Sequence, residues 1–153
     1  MAYNGRNNYQ NGQGGYNSRY QQPSLPDGYL DGGYFSPAKD GQKRAMKREY
    51  ILGYPEQIAR ALDDRDKNKS TQLRKFYDYC IRIRDALEQG KTFQEVESDF
   101  CRLTAFAKYA ENRSRVTSLF VDFIDRNVKI VQSKESFYAF LKHFEAVIAY
   151  IKK

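Results

Sequence analysis

Apolar side chains recur at steps of three and four along residues 54–153, the spacing that gathers them on one side of an α-helix. The clearest case begins where Ser70 or Thr71 can cap a first turn. It ends at Gly90, which can adopt the left-handed conformation that follows a helix. The pattern predicts an amphipathic helix over residues 71–89. Its apolar stripe comprises Leu73, Phe76, Tyr77, Cys80, Ile83 and Leu87.

Four further helices are predicted from the same spacing. A capping box, Thr92 with Glu95 three residues later, marks the start of the third helix, and Ser133 is suited to cap the last. No alternating strand pattern interrupts this region. The sequence therefore predicts an all-α, compact bundle of about five helices in one domain, 54–153. Besides 71–89, the helices are placed over residues 54–66, from residue 92 onward, over 114–131 and over 134–152.

Residues 1–37 differ sharply from this pattern, because they consist mainly of Tyr, Asn, Gly and Gln, with only Leu25 and Leu30 as large aliphatic residues. Such a composition predicts a disordered N-terminal tail. Its tyrosines either stack on bases or on each other, or form part of a solvated tail without specific contacts. Six of the 13 tyrosines lie here: Tyr3, Tyr9, Tyr16, Tyr20, Tyr29 and Tyr34.

Residues 38–53 are predicted to form a basic linker or a short helix. In a helix, cations four positions apart would lie on one side, where they would contact phosphates. A plain charged linker is the alternative. The cations are Lys39, Lys43, Arg44, Lys47 and Arg48.

The positive charge is confined to the part of the chain predicted to fold. The 153 residues hold 26 Lys and Arg against 19 Asp and Glu, a formal net charge of +7. The charges of residues 1–37 cancel, so the whole excess lies in residues 38–153. A basic fold favours a polyanionic partner such as a nucleic acid, although charge alone leaves solubility as an alternative.

Cysteine usage and hydropathy indicate the compartment. Cys80 and Cys101 are too few for a disulfide framework, so we expect reduced thiols. The N-terminus lacks the apolar region of a signal peptide, and no apolar run approaches the ~20 residues that a membrane span needs. We expect a cytoplasmic protein without membrane contact.

Catalytic chemistry finds little support in the sequence. The single histidine, His143, has no nucleophile or orienting group at a telling spacing, which indicates a structural residue. It lies on a small-residue side of the last helix that either a neighbouring helix or another copy would cover. That side comprises Ala139, His143, Ala146 and Tyr150. The densest carboxylates, Asp63, Asp64 and Asp66, indicate a polar helix end. We predict no enzyme activity, no metal site and no cofactor.

Cationic side chains occupy the outward sides of the second and third helices. On the second, Lys75 and Arg82 fall roughly opposite the apolar stripe, with Arg74 on its flank. Either the outward stripe of the third helix grips RNA, or its aromatic rings pack on another helix with the arginines around them. That stripe extends over about 16 Å of helix axis and reads Arg102, Phe106, Tyr109 and Arg113.

Three stretches together carry a family resemblance. They are STQLRKFY at Ser70–Tyr77, LTAFAKYAENR at Leu103–Arg113 and FYAFLKHFEAVIAYIK at Phe137–Lys152. In this order and spacing they resemble the small subunit of type III-A CRISPR (Csm) effector complexes. The resemblance covers residues from about 45 to 153.

The resemblance implies a non-catalytic five-helix subunit of an antiviral ribonucleoprotein. Its implied partners are the CRISPR RNA, the target RNA, other Csm subunits and further copies of itself stacked in a filament that lines the RNA channel. Three residues match basic family positions that face RNA, namely Arg74, Lys75 and Arg113. Arg82, Arg102, Lys108 and Tyr109 join this RNA-binding set by helical geometry alone.

The favoured function is therefore RNA binding without sequence readout. Arg and Lys contacts to phosphates position a duplex without reading its bases, which suits a guide-programmed complex. The alternative is a helical protein–protein interaction adaptor that binds no RNA. A nuclease would need a metal or an acid–base pair that the sequence does not display.

Overall fold

A computed structural model describes residues 22–39, 41 and 44–152. In these residues it contains five α-helices and a short 3₁₀ turn, and the one β-type pairing is an isolated bridge between Phe35 and Met46. The prediction of an all-α bundle of about five helices is confirmed. The elements are the 3₁₀ turn Arg48–Tyr50, α1 (Tyr54–Leu62), α2 (Ser70–Glu88), α3 (Phe93–Asn112), α4 (Ser118–Ile130) and α5 (Lys134–Tyr150).

The core is built around α5, whose aromatic side chains meet rings from the other helices. Phe144 stacks on Phe140, with centroids 5.6 Å apart, and lies 5.6 Å from the Phe123 ring of α4. Phe140 lies 5.7 Å from the Phe100 ring of α3. All members of the predicted α2 stripe except the half-buried Tyr77 are buried. The apolar spacing therefore identified the buried side of the helix correctly.

α2 and α3 end in the same type of C-terminal turn. After α2, the Lys91 amide donates to the Ala86 carbonyl at 3.2 Å and Gly90 has φ +103°. After α3, the Arg115 amide donates to the Ala110 carbonyl at 3.0 Å. These are the bonds of a Schellman motif, in which one residue past the helix takes positive φ. After α3 that residue is Ser114, with φ +58°, so this end lacks the glycine signal.

Two predicted helices are longer than the helices in the structure: the first was expected to end at residue 66 and the fourth to begin at residue 114. In both cases side-chain hydrogen bonds to backbone amides mark the difference. α1 ends at Leu62, and the Asp64 carboxylate accepts from the Asp66 and Lys67 amides at 2.9 and 2.8 Å, which forms a turn. α4 begins only at Ser118, where the Thr117 side chain caps the first turn.

Residues 22–37, which we call the N-terminal segment, pack onto the bundle. Leu25, Tyr29, Leu30 and Tyr34 are buried and join the same core as the helices. The predicted disordered tail therefore does not extend to these residues, while residues 1–21 lie outside the described part. Aliphatic content alone underestimates burial here, because a tyrosine can be buried when its hydroxyl has a partner.

The region predicted as a basic linker or short helix turns the chain back along the N-terminal segment. The Ser36 amide donates to the Ala45 carbonyl at 2.8 Å, and the Lys47 amide donates to the Tyr34 carbonyl at 2.7 Å. The 3₁₀ turn follows and delivers Tyr50 into the core. The described part of this region therefore runs back alongside the N-terminal segment in an extended conformation and ends in the 3₁₀ turn.

A buried hydrogen-bond network fixes the N-terminal segment to α4 and α5. A carbonyl oxygen only accepts, so His143 donates from Nδ1 to the Tyr50 carbonyl at 2.6 Å. Its Nε2 then accepts the Tyr29 hydroxyl proton at 2.5 Å. Asn127 donates to the Tyr29 hydroxyl at 3.0 Å and accepts from the Tyr34 hydroxyl at 2.6 Å. This pattern determines a single neutral tautomer of the imidazole.

A neighbouring helix covers part of the His143 side of α5, as one of the two alternatives expected, since α1 packs on α5 and its Ala59 and Leu62 line a cavity with Tyr150. At His143 itself the N-terminal segment and the 3₁₀ turn lie on α5, an arrangement that the helical period does not predict. Burial lowers the pKa of His143 to about 4, against a smaller opposite effect of its hydrogen bond to the Tyr50 backbone. His143 has the structural place that the sequence predicted.

In the part of the chain that the structure describes, no helix has the length and apolar character needed to cross a membrane. Both cysteines carry free thiols. Cys101 is exposed on α3, whereas Cys80 is buried on α2, and burial raises the pKa of its thiol to about 12.

Candidate nucleic-acid interface

A groove of about 630 Å³ runs between α2 and α3, and we call it the basic groove. Five cationic side chains line it and, among the described residues, no carboxylate does. The cations are Lys75, Arg82, Arg102, Arg113 and Arg115. The other lining residues are Gln72, Phe76, Tyr79, Leu103, Phe106, Tyr109 and Ala110.

A buried asparagine positions one end of the basic groove. Asn68, just before α2, has φ +56° and is only 3% exposed. Its backbone amide donates to the Arg115 carbonyl at 3.0 Å, and its side-chain oxygen accepts from the Thr117 amide at 3.0 Å. Its side-chain nitrogen donates to the Leu62 carbonyl at 2.8 Å. Asn68 thus connects the loop after α3 to the loop before α2 by hydrogen bonds and fixes the backbone position of Arg115.

The charges of the groove are not neutralised by the protein's own acids. Ion pairs occur elsewhere on the surface, but within the described residues four of the five groove cations take part in none. The exception is Arg102, 3.9 Å from the Asp99 carboxylate, with both side chains exposed. An exposed ion pair of this kind is weak because solvent screens it, so it leaves Arg102 available to an anion. The groove therefore presents a positive field to solvent, which attracts anions.

Arginines lie over aromatic rings along the groove. The Arg113 guanidinium is 4.4 Å from the Tyr109 ring centroid and the Arg102 guanidinium is 5.2 Å from that of Phe106. Tyr79 meets Phe106 edge-on, with centroids 5.2 Å apart. Cation–π contacts of this kind hold a guanidinium in place without cancelling its charge. The arginines are thus oriented before any ligand arrives.

The outward stripe of α3 is packed at one position and exposed at another. Phe106 is half-buried and packs on Tyr79 of α2, as expected for a second packing face. Tyr109, in contrast, is 58% exposed, one of the most exposed large apolar side chains in the described part. The stripe is therefore a helix contact at its centre and open surface nearer the end of α3.

The structure brings five of the seven predicted RNA-binding residues together in the groove. Arg74 is exposed on α2 but does not line the groove. Lys108 faces the α4 side of α3, where it lines a separate cavity and pairs with Glu111 at 2.7 Å. The five in the groove are Lys75, Arg82, Arg102, Tyr109 and Arg113.

Three groove residues, Gln72, Tyr79 and Arg115, were given no role by the sequence analysis. Tyr79 lies between the apolar stripe of α2 and its outward side, so it was assigned to neither. Its hydroxyl donates to the Asp99 carbonyl at 2.5 Å, and burial raises its pKa. Arg115 lies beyond α3, and only the turn at Ser114 brings it back to the groove. No periodic signal would have indicated that turn.

Comparisons with known proteins give one positive finding. A family model described as Csm2 Type III-A matches residues 45–153. The match includes all five helices and every residue that lines the basic groove. The N-terminal segment lies outside it. The comparisons with curated proteins and with solved structures found no match.

Proposed function

The chain belongs to the Csm2 Type III-A family and is a structural subunit of a type III-A CRISPR complex, and we propose that it binds RNA there through the basic groove without catalysing a reaction. The family match confirms the resemblance found in the sequence and makes other Csm subunits its partners.

The observation that carries the proposal is a groove with five cations and no lining carboxylate among the described residues. Each cation that meets a phosphate releases condensed counterions, and this gain is independent of base sequence. A-form RNA hides its base edges in a deep, narrow major groove, which leaves phosphates and 2′-hydroxyls as the accessible contacts. The ligand that fits is therefore the paired CRISPR RNA and target RNA, held by its backbone.

The groove follows α3 for about 16 Å, from Arg102 to Arg113. Guide–target duplexes in RNA-guided complexes are longer, about 20 base pairs. We propose that copies of the subunit stack so that successive grooves form a channel for the duplex in the cytoplasm.

The test is a double charge reversal, Lys75→Glu with Arg113→Glu, measured against an RNA duplex of arbitrary sequence. We expect affinity to fall at least about tenfold, or roughly 1.4 kcal/mol. The slope of log affinity against log salt should become shallower by about 0.7–0.9 for each phosphate that the variant no longer binds. Both side chains are exposed and unpaired within the described residues, so helicity should not change.

A matched control reverses Lys91 and Lys142, two exposed cations that do not line the groove. It changes the net charge by the same amount and should keep most of the parent's affinity. Equal losses in the two variants would show that net charge and not the groove binds RNA. Binding of a protein partner that is insensitive to salt, without RNA binding, would favour the adaptor function instead.

A further inference from the structure

A second groove lies between α3 and α4, and the proposed function assigns it no role. It has a volume of about 690 Å³, and we call it the α3–α4 groove. Its floor is mostly apolar, with Ala105, the half-buried Val121 and the exposed Cys101 among the side chains that line it. An open apolar surface of this kind is a candidate contact surface.

Carboxylates outnumber cations in the α3–α4 groove, the reverse of the basic groove. Its lining includes Glu111, Asp122 and Asp125 but a single cation, Lys108, which lies 2.7 Å from Glu111. Asp122 and Asp125 pair with cations of α4 that do not line the groove. All these pairs reach solvent, where ion pairs are weak and exchange partners readily. The groove therefore favours an occupant that is both apolar and cationic.

The N-terminal tail, residues 1–21, has this chemistry in its sequence and lies outside the described part. It contains Tyr-Asn-Gly-Arg at residues 3–6 and Tyr-Asn-Ser-Arg at residues 16–19, and a Tyr-Gln pair follows each within three residues. No carboxylate occurs in the chain before Asp27. A tyrosine close to an arginine offers a large ring for an apolar floor and a guanidinium that binds carboxylates.

The path of the chain brings the tail close to the α3–α4 groove. The Arg126 guanidinium donates to the Tyr29 carbonyl at 3.4 Å and lies 3.8 Å from the Asp122 carboxylate. The N-terminal segment therefore passes within one side chain of the groove. Arg19 precedes Tyr29 by ten residues, which span up to about 35 Å, roughly the diameter of a small domain. A tether of this length gives an effective concentration on the order of 1 mM.

We propose that the α3–α4 groove is a docking site for the chain's own N-terminal tail, with the repeat at residues 16–19 as its occupant. The tyrosine ring covers the apolar floor and Arg19 meets the carboxylates at the rim. The inference does not depend on RNA binding, because the two grooves share no lining residue. It gives the tail a place on the molecule away from the basic groove.

Disulfide trapping in the full-length chain tests the docking, because Cys101 lines the groove and serves as a reporter. Ser18→Cys adds a thiol to the repeat, while Cys80 is buried and does not compete. Under a mild oxidant we expect a disulfide between the introduced thiol and Cys101 within one chain, detected as a linked peptide after digestion. The rate is the deciding quantity, since a flexible tether alone permits some closure.

The decisive variant combines Ser18→Cys with Tyr16→Ser and Tyr20→Ser, which removes both rings and keeps the charge. We expect disulfide formation to slow about tenfold, because the tail loses its apolar contact with the floor. The matched control combines Ser18→Cys with Gln10→Ser and Gln13→Ser, two positions between the repeats, and should keep the full rate. Dividing each rate by that of the introduced thiol with glutathione disulfide removes differences in intrinsic reactivity.

The outcomes separate this inference from the proposed function. Equal rates with and without the two tyrosines overturn the docking site, because the disulfide then reports the tether alone. Disulfide-linked dimers in place of the linked monomer, with a yield that rises with protein concentration, overturn the assignment to the chain's own tail. Neither result bears on RNA binding by the basic groove, which the charge reversal of Lys75 and Arg113 tests separately.

Discussion

At the scale of single residues, His143 couples the stability of the fold to pH. Its pKa is about 4 in the folded chain against an ordinary value of 6.5, because the buried imidazole resists charging. Between these values the unfolded state binds more protons than the folded state. Stability is therefore fully present above pH 6.5 and is lost progressively as the pH falls towards 4.

Urea unfolding at a series of pH values would measure this loss. We expect the free energy of unfolding to fall by about 2 kcal/mol between pH 8 and pH 5, and by about 3 kcal/mol over the full window. His143 is the only histidine, so His143→Gln should flatten the profile between pH 6.5 and 5. A parent profile that is already flat there would contradict the buried neutral imidazole.

At the scale of elements, the N-terminal segment is a structural part of the bundle. Tyr29 is 1% exposed, donates to His143 and lies 6.4 Å from the Phe123 ring, where it stacks. The Arg126 side chain donates to its backbone carbonyl at 3.4 Å. The segment thus contributes Tyr29, whose ring is packed in the core and whose hydroxyl has two hydrogen-bond partners.

Tyr29→Ala should therefore destabilise the protein by about 3–5 kcal/mol, the range for truncating a large buried aromatic side chain. Thermal or urea unfolding at pH 7 would report it. Tyr150→Ala, which removes the same side chain at a 45% exposed position of α5, should cost less than about 1 kcal/mol. If the two variants are equally stable, the segment is not part of the cooperative unit.

The elements also show where sequence reasoning works and where it stops. α2 and α5 were predicted to within a few residues, because their stripes and caps are local signals that a single helix carries. Burial of the N-terminal segment is different in kind. The partners of Tyr29 and Tyr34 lie 93 to 114 positions along the chain, and no local pattern encodes such a pairing.

The candidate site divides in the same way. The helical period placed Lys75, Arg82 and Arg102 on surfaces that meet in the groove. It could not tell that Lys108 turns towards α4, since that depends on which helix packs on which side of α3. Arg115 depends on a backbone turn after Ser114 that has no glycine to announce it.

At the scale of the whole molecule, the two cysteines differ in accessibility, so their reaction rates report on unfolding of the bundle. Cys101 is exposed, whereas Cys80 has no exposed surface and a pKa raised to about 12 by burial. A disulfide reagent should therefore modify one thiol at once. The second should react only through unfolding, roughly a thousandfold or more slowly for a domain of ordinary stability.

The rates at which the two cysteines react with the disulfide reagent, measured in native buffer and in denaturant, would check this. Cys101→Ser should abolish the fast phase and leave the slow one unchanged, so the slow rate becomes a direct measure of how often the bundle opens. Rapid reaction of both thiols in the native protein would mean that α2 separates from the core without global unfolding.

The family match starts at residue 45, yet the hydrophobic core shared with the helices starts at Leu25. The N-terminal limit of the family match and the N-terminal limit of the packed core thus differ by about twenty residues. A chain trimmed to the matched residues would lose Tyr29 and Tyr34. The buried His143 side chain would then lack one of its two hydrogen-bond partners, and the buried Asn127 side chain two of its three.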